Sequence, residues 1–289
     1  MSLITRTYCP ACKGKDFKKL FSLPYQSEKI ASFLNNYYKN IIKISSLDTH
    51  EYNLMQCLEC NLIFQEQIPD DQFSENLYEI FIDANESLSK KDDFNKKFRK
   101  KLSFEMQLIK NLFKKDKKDI SILEFGAGWG FWSKHAQNYG YKVSAFEVSK
   151  KRIDFMKKNN INVISNLTNH NIKYDFIYSE ETFEHISHPK DTIIDLSKLL
   201  TKDGFILLRF PSSFLFKSKL NKNYVPTSDC AHPLEHINIY NKKSFVGMLK
   251  NTNLKSIDFK SRFIFSIGVF LRDLKNLIYF DSVLIKKID

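Results

Sequence analysis

The chain has 289 residues, of which 43% are hydrophobic and 27% are charged, a balance that is ordinary for a folded protein. Its length allows one large domain with a sizeable core and one small domain. The first ten residues lack the apolar core of a signal peptide, and the longest apolar run near the end spans about nine residues, against roughly 20 for a membrane-spanning helix. These features argue against a membrane span and predict a cytoplasmic protein.

The formal net charge of +12 would suit a nucleic-acid-binding protein. Arginine, whose bidentate fork reads bases and phosphates, occurs at only six positions in the chain. The remaining positive charge is lysine and is spread along the whole sequence. This diffuse pattern argues against nucleic acid as the partner.

Four of the five cysteines form two Cys-x-x-Cys pairs, Cys9 with Cys12 and Cys57 with Cys60, separated by 44 residues. Each pair can present two thiolates to one tetrahedral ion, so the two pairs predict a closed, structural four-cysteine zinc site. The alternative is four free thiols in a small apolar subdomain. We interpret residues 1–70 as a zinc-binding subdomain that is too small to fold without the metal.

A helix is predicted over residues 29–38 and a strand over residues 61–64. Residues 65–91 are polar and predict irregular structure. Residues 92–115 have helical periodicity, with apolar side chains near one face at Phe94, Phe98, Leu102, Met106, Ile109, Leu112 and Phe113. We interpret residues 71–118 as a helical linker that also forms a lid over a cofactor site in the segment after residue 119.

Residues 120–131 predict a buried strand, a glycine turn and the start of a helix. The three glycines of the turn are Gly126, Gly128 and Gly130. A missing Cβ there lets the backbone approach a ligand or adopt a positive φ. Glu124 precedes the turn and Glu147 ends the next apolar run, so the segment predicts a nucleotide-type cofactor pocket at the carboxyl edge of a parallel sheet.

Strands and helices alternate from residue 119 onward. Strands are predicted over residues 120–125, 142–146, 162–165, 174–178, 205–210, 255–259 and 279–286. Helices are predicted over residues 131–139, 150–158, 190–200, 242–250 and 267–277. This alternation predicts an α/β fold with helices on both faces of a parallel sheet.

Residues 123–130 resemble the first motif of class I S-adenosylmethionine-dependent methyltransferases. Residues 174–189 resemble their fourth-strand region, and residues 209–211 and 236–249 resemble the segments that follow. A nicotinamide-binding fingerprint would need a glycine where this chain has Phe131. The resemblance implies a Rossmann-like sheet, mostly parallel with an antiparallel last strand. We place this methyltransferase domain at residues 119–289, after a small zinc-ribbon-like subdomain.

The resemblance also implies S-adenosylmethionine as the methyl donor. Glu147 would accept the two ribose hydroxyls, although a surface glutamate that caps a helix is the alternative. Glu124 would contact the ammonium group or hold the loop, Asn166 would accept from the adenine amino group, and Glu181 would face the methionine end. The cofactor set implied is Glu124, Gly126, Ala127, Gly128, Gly130, Glu147, Val148, Asn166 and Glu181.

Methyl transfer to a hydroxyl needs a base, and histidine titrates in the right range. Glu235 and His236 resemble an orienter and a base of sugar C-methyltransferases, a bacterial group with similar N-terminal cysteine pairs. His236 is therefore the first candidate base, and His185 is the second unless it only packs at the end of the strand. Glu181, Glu184 and His185 also resemble a trio that binds a divalent cation in some quinone-pathway O-methyltransferases.

These features predict methyl transfer to a small molecule, a hydroxyl of a sugar or nucleotide-sugar in surface polysaccharide biosynthesis or secondary metabolism. Sugar C-methyltransferases carry a further C-terminal domain that this sequence lacks, so we expect O-methylation before C-methylation. The alternatives are an RNA methyltransferase whose zinc knuckles bind RNA, and a zinc-stabilised binding protein with a degenerate methyltransferase fold. Residues 179–182 lack the motif of enzymes that methylate base amines, and the intact glycines argue against degeneration.

Overall fold

The computed structural model describes residues 1–97, 99–167, 172–213, 215–257 and 280–288. The chain divides into two compact units. Unit 1 contains residues 1–82, 183–190 and 210–250, and unit 2 contains residues 83–182, 191–209 and 251–289. The domains predicted from the sequence are consecutive segments, whereas unit 1 also takes in two later segments of the chain.

Unit 1 contains a four-stranded antiparallel sheet and a separate two-stranded ribbon within the described residues. Its strands are β1 (Leu3–Thr5), β2 (Phe17–Pro24), β3 (Glu51–Cys57), β4 (Ile63–Gln65), β5 (Gln67–Pro69) and β11 (Asn238–Ile239). Its helices are α1 (Glu28–Tyr37), α2 (Asp71–Asn76), α8 (Phe216–Lys219) and α9 (Lys242–Leu249). The larger sheet has the order β11-β4-β3-β2, and β1 pairs with β5. The predicted helix over residues 29–38 is confirmed to within one residue.

The prediction of irregular structure over residues 65–91 is wrong. This stretch contains β5, α2 and the beginning of α3 (Ala84–Lys97). The Asp70 carboxylate accepts a hydrogen bond from the backbone N–H of Phe73 at 2.7 Å and so caps α2. Phe73 and Leu77 are buried, and these two anchors are enough to fix a short helix despite its polar neighbours.

Unit 2 contains a sheet that is mostly parallel and, within the described residues, seven-stranded. Its strands are β6 (Ser121–Phe125), β7 (Lys142–Phe146), β8 (Asn162–Ile164), β9 (Tyr174–Glu180), β10 (Leu200–Pro211), β12 (Leu254–Ile257) and β13 (Phe280–Lys287). The order is β12-β13-β10-β9-β6-β7-β8. The pairs from β8 through β10 are parallel, and β12 pairs with β13 antiparallel. The predicted α/β sheet with an antiparallel last strand is confirmed.

The helices of unit 2 are α3, α4 (Arg99–Leu112), α5 (Phe131–Tyr139), α6 (Lys150–Lys158) and α7 (Pro189–Leu199). The bounds of β7, α5 and α6 agree with the sequence prediction, because Gly140 and other turn residues mark their ends. Strand β10 is longer than predicted, since an irregularity between Leu200 and Phe205 lets the strand begin earlier. The predicted helix over residues 267–277 lies outside the described residues.

Helix α4 packs one apolar face into the core of unit 2. Buried side chains on this face include those of Leu102, Met106 and Ile109, which confirms the predicted periodicity for them. Phe98 lies outside the described residues, as does the side chain of Phe94. The continuous burial of β6 and β9 is typical of parallel strands that are covered on both faces.

A buried ion pair fixes α4 to strand β10 of the sheet within unit 2. The Arg209 guanidinium lies 2.5 Å from a carboxylate oxygen of Glu105, and both side chains are only 1% exposed. The second Glu105 oxygen accepts from the indole N–H of Trp132 at 2.9 Å, and Glu180 lies 3.4 Å from the other side of Arg209. Removing one partner from such a pair is costly because it leaves a buried charge without its counterion.

We predict that Glu105→Gln lowers the free energy of unfolding by about 3 kcal/mol in urea titrations. The exposed pair of Lys198 and Asp195, 2.7 Å apart, provides the control. Asp195→Asn should change stability by less than about 1 kcal/mol, since a solvated pair contributes little. Equal effects of the two substitutions would contradict the assignment of the Glu105–Arg209 pair as a stabilising element.

Candidate active site

The two cysteine pairs of unit 1 form turns of the same shape. The residue after each pair, Lys13 and Asn61, has a positive φ of 65° and 63°. In each turn the backbone N–H of that residue donates to the carbonyl of the first cysteine, at 2.9 Å in one turn and 3.0 Å in the other. The repeated geometry indicates two equivalent knuckles.

The four sulfur atoms of the knuckles lie within 4.8 Å of one another. Cys9 and Cys60 are 3.6 Å apart at sulfur, and Cys12 and Cys57 are 3.5 Å apart. Four sulfurs at about 2.3 Å from a tetrahedral zinc ion would be about 3.8 Å from one another. The cluster therefore has the donor atoms and the size that zinc requires. Helix α9 packs against it, because Gly247 leaves room for Cys60.

The glycine turn of unit 2 lies where the strand order of the sheet reverses, between β6 and β9. In open α/β sheets, ligands bind at such a position, beyond the carboxyl ends of the strands. Gly126 has a φ of 73°, and a Cβ there would lie 2.3 Å from the hydroxyl oxygen of Thr182, just after β9. Gly128 has a φ of 55°, but a Cβ there would meet no described atom within 4 Å. The turn therefore presents open backbone at Gly128.

The carboxylate of Glu147 ties the glycine turn to the end of β7. One oxygen accepts from the backbone N–H of Gly128 at 2.7 Å. The other accepts from the N–H groups of Val148 and Ser149, at 2.8 and 3.0 Å. A carboxylate has about four acceptor positions, so at least one is left for a further donor. Glu147 is 7% exposed, which places a nearly buried acceptor at the predicted ribose position.

Glu124 holds the start of α5. One of its oxygens accepts from both the backbone N–H and the hydroxyl of Ser133, at 2.9 and 2.5 Å. Burial raises the pKa of Glu124 to about 8, against an ordinary value of 4.5. Of the two roles proposed for Glu124, these contacts favour holding the loop.

The remaining predicted cofactor residues lie at the ends of strands in unit 2. Ala127 is buried in the turn, and its N–H donates to the carbonyl of Phe146 at 3.0 Å. Val148 is 75% exposed directly after Glu147, which suits contact with a flat ligand ring. Asn166 is exposed two residues after β8. Glu181 has a positive φ of 50°, and its carboxylate pairs with Lys91.

Helix α3, which belongs to the predicted lid, contacts the helices around the glycine turn within unit 2. The indole N–H of Trp129 donates to the hydroxyl of Ser87 at 3.2 Å. A cavity of about 460 Å³ lies beside these elements and is lined by Asn85, Leu88, Ser89, Phe131 and Phe155. None of its lining residues is in the predicted cofactor set, so the cavity is not the predicted donor site.

The candidate bases His185 and His236 lie together in unit 1, with ring centroids 4.9 Å apart. Nδ1 of His185 lies 2.9 Å from the carbonyl oxygen of Glu235, and Nδ1 of His236 contacts the carbonyl oxygen of Asp229. A carbonyl oxygen only accepts, so Nδ1 carries the proton in both rings. In the neutral ring, Nε2 is then the basic nitrogen.

Glu235 contacts Tyr38 and His232, whereas the sequence suggests that it orients His236. One of its oxygens accepts from the Tyr38 hydroxyl at 2.5 Å, and the other lies 3.8 Å from Nδ1 of His232. Burial, and the nearby His236 and His185, lower the pKa of His232 well below its ordinary value. His232 is therefore neutral at pH 7. The contacts of Glu235 orient Tyr38 and His232, while a backbone carbonyl orients His236.

The cation trio suggested by the sequence is not the group that unit 1 assembles. Donor atoms of Glu184, His185 and His236 lie within 4.8 Å of one another. Glu181 belongs to unit 2, where it pairs with Lys91. Local sequence spacing favoured Glu181, whereas the fold brings in His236 from 51 residues further along the chain.

Several residues of the histidine cluster were missed or left unassigned by the sequence analysis. Tyr38 directly follows α1, and the Tyr78 ring lies 5.8 Å from the His185 ring. The amide of Asn238 donates to the carbonyls of Phe183 and Ile186, at 3.1 and 2.7 Å, and so joins the two histidine segments. These contacts span up to about two hundred residues of chain, and no local pattern signals them.

Comparison with known proteins agrees with this fold. A family model described as a methyltransferase domain matches residues 94–258, which is more than half of the chain. The solved structure of the plantazolicin methyltransferase BpumL in complex with SAH is 18% identical, with a TM-score of 0.54 over 75% of this chain and 94% of that one. The plantazolicin methyltransferase BamL, with a triazolic desmethylPZN analog and SAH, is 14% identical, with the same TM-score and coverage. No curated protein matches the chain.

The chain therefore belongs to the methyltransferase domain family. It is an S-adenosylmethionine-dependent methyltransferase, as the glycine turn at the switch point of the sheet and the family match both indicate. In the part of the chain that the structure describes, no helix has the length and apolar character needed to cross a membrane.

The raised pKa of Glu124 makes a testable contribution to stability. Between pH 4.5 and about 8 the folded state holds a proton on Glu124 that the unfolded state releases, so this group destabilises the protein as pH rises. We predict that the melting temperature of Glu124→Gln, expressed as the difference from the wild type at the same pH, is higher at pH 8.5 than at pH 5.5.

The exposed Glu75 provides a matched control. Glu75→Gln should leave the difference from the wild type unchanged between the two pH values. The account of Glu124 fails if Glu124→Gln also shows the same difference at both pH values.

Proposed function

We propose that this enzyme transfers the methyl group of S-adenosylmethionine to a hydroxyl of a small acceptor, a sugar or a nucleotide-sugar. The observation that carries the proposal is the pair of histidines whose Nδ1 atoms are both held by carbonyl oxygens. This arrangement leaves a basic Nε2 on each ring, and a hydroxyl acceptor needs a base of this kind. Synthesis of surface polysaccharide or of secondary metabolites is the setting that we favour.

The donor is assigned to the glycine turn of unit 2. Glu147 accepts from a ribose hydroxyl at its remaining acceptor position, and Val148 contacts the adenine ring. The open backbone at Gly128 lies against the methionine part, while Glu181 and Asn166 serve the methionine end and the adenine amino group. Glu124 acts indirectly, by holding the start of α5 through Ser133.

His236 is the proposed base, and His185 is the second candidate. The sulfonium is already a good leaving group, so the protein has to align the acceptor and remove its proton. The base takes the hydroxyl proton on Nε2 while the acceptor oxygen bonds to the methyl carbon. The methyl–sulfur bond breaks, and its electron pair remains on the sulfur of the neutral thioether product.

Aromatic rings around the histidines support a sugar as the acceptor. Phe33 and Tyr37 lie 5.0 and 4.3 Å from the ring of His232, and Tyr37 is 39% exposed. Aromatic faces pack against the apolar faces of small ligands, and nearby hydroxyl and carboxylate groups fix the orientation. Tyr38 and Glu235 supply such groups in unit 1.

The four cysteines are proposed to bind one structural zinc ion. Their sulfur separations match a tetrahedral site, and a closed four-thiolate site leaves no position for chemistry. Zinc would hold together the two knuckles of unit 1, one of which precedes β2 while the other lies between β3 and β4.

We predict that His236→Gln lowers kcat by about 10²- to 10⁴-fold, because the acceptor loses its base. The dissociation constant for S-adenosylmethionine, measured by calorimetry, should stay within about twofold of the wild type. His188→Gln is the matched control, because His188 is an exposed histidine of the neighbouring segment. A His236→Gln enzyme with wild-type kcat would overturn the role of the base.

The acceptor class is tested with a radiolabelled methyl donor and three acceptor pools: nucleotide-sugars, free sugars and structured RNA. Label in a sugar pool, with a carbon-13 shift typical of a methyl ether, is the expected result. A shift typical of a methyl group on carbon would replace O-methylation with C-methylation. Label in RNA alone would overturn the proposed acceptor.

We predict one zinc ion per purified chain by elemental analysis, and a lower zinc content with a lower melting temperature for Cys9→Ser. Loss of a metal-bound thiolate removes binding free energy that stabilises the fold. Cys230→Ser is the control, because Cys230 is a buried cysteine outside the cluster. A zinc-free wild type, or a Cys9→Ser protein with full zinc and an unchanged melting curve, would refute the site.

A further inference from the structure

Unit 1 contains a second group of metal-type donors in addition to the four cysteines. Glu184 and His185 belong to a single helical turn, Phe183–His185, and His236 lies just before β11. One donor atom from each of the three lies within 4.8 Å of the other two. Two imidazoles and one carboxylate form a donor set that suits divalent first-row cations.

The hydrogen bonds of both imidazoles prepare the same nitrogen for a metal. Ring nitrogens that bind metals are Nε2 or Nδ1, and the other nitrogen usually donates to a carbonyl or a carboxylate. Nδ1 of His185 donates to Glu235 and Nδ1 of His236 donates to Asp229, both at the backbone carbonyl. Each ring is therefore fixed in the tautomer with a lone pair on Nε2.

The protein scaffold holds the two donor segments at a fixed separation. The Asn238 amide donates to two carbonyls of the segment that contains Glu184 and His185. The Arg6 guanidinium donates to the carbonyls of Ser187 and Ile237, at 3.3 and 3.0 Å. The third donor, the Glu184 carboxylate, is only 1% exposed. The two histidines are partly buried, so the set combines a buried carboxylate with two imidazoles whose orientation is fixed by hydrogen bonds.

We propose that Glu184, His185 and His236 bind one divalent first-row transition cation through a carboxylate oxygen and two Nε2 atoms. The three protein ligands leave positions open for oxygen atoms of the acceptor or of water. Binding stands on the geometry alone, whereas its role in methyl transfer rests on the proposed function. There, the cation would take the place of the histidine base: it would lower the pKa of a bound acceptor hydroxyl, whose proton would pass to water before the oxygen attacks the methyl carbon.

The cation and the proton compete for the same nitrogen. An imidazole that binds a metal through Nε2 cannot accept a proton there, so a His236 bound to the cation does not act as the base. The role of His236 as a cation ligand can therefore be separated from its role as a base by measuring metal binding without any acceptor or methyl donor. Mn²⁺ is a suitable probe, because it accepts carboxylate ligands and, as the weakest binder of the first-row series, does not displace zinc from thiolates.

The test is an electron paramagnetic resonance titration of zinc-loaded full-length protein with Mn²⁺, in which the signal of free Mn²⁺ falls as the ion binds. We expect one Mn²⁺ per chain for the wild type and for His188→Gln. Glu184→Gln and His236→Gln should each weaken the affinity at least about 10-fold. Unchanged zinc content and far-ultraviolet circular dichroism would confirm that the variants are folded.

Two results would overturn the cation site: a wild-type protein that leaves the free Mn²⁺ signal unchanged, and a His236→Gln variant that binds Mn²⁺ as tightly as the wild type. Neither result would affect the proposed function, whose own test is the transfer of labelled methyl groups to a sugar pool. Conversely, loss of Mn²⁺ affinity in the Glu184 and His236 variants supports the cation site even if no sugar acceptor is found.

Discussion

The glycine turn of unit 2 depends on the carboxylate of Glu147. Three backbone N–H groups converge on it, one from the glycine turn and two from the residues after β7. These bonds hold the turn beside the point where the order of the sheet reverses, and they leave open backbone at Gly128. A hydrogen bond to a charged acceptor is stronger than one between neutral groups, so this one side chain contributes strongly to the shape of the turn.

In unit 1, backbone carbonyls orient the rings of His185 and His236. Two imidazoles that arise 51 residues apart in the chain each donate through Nδ1 to a carbonyl, so each keeps a lone pair on Nε2. The same arrangement suits proton removal and metal binding, and the Glu184 carboxylate adds a third donor to the two rings. Unit 1 thus combines a thiolate cluster that suits structural zinc with a nitrogen and oxygen cluster that suits chemistry.

Much of unit 2 could be predicted from the sequence, because its signals are local. Two local signals specify β6, α5, β7 and α6 to within a residue. One is the glycine turn between a buried strand and a helix, and the other is the change of apolar period from strand to helix. The environment of the histidines could not be predicted in this way. The contact of Tyr38 with Glu235 spans 197 residues, and His236 lies just before β11, which pairs with the distant strand β4. The short helix after Asp70 was missed because its two apolar anchors are too few to form a periodic pattern.

The central claim is that the turn anchored by Glu147 binds S-adenosylmethionine, and its most direct test is calorimetric titration of the purified protein with that cofactor. The account predicts binding of one cofactor per chain, weakened at least about 10-fold by Glu147→Ala, since a hydrogen bond to a charged group contributes about 1.5–3 kcal/mol. Asp154→Asn, an exposed change on α6, should bind as the wild type does. No binding to the wild type, or equal binding to Glu147→Ala, would contradict the account.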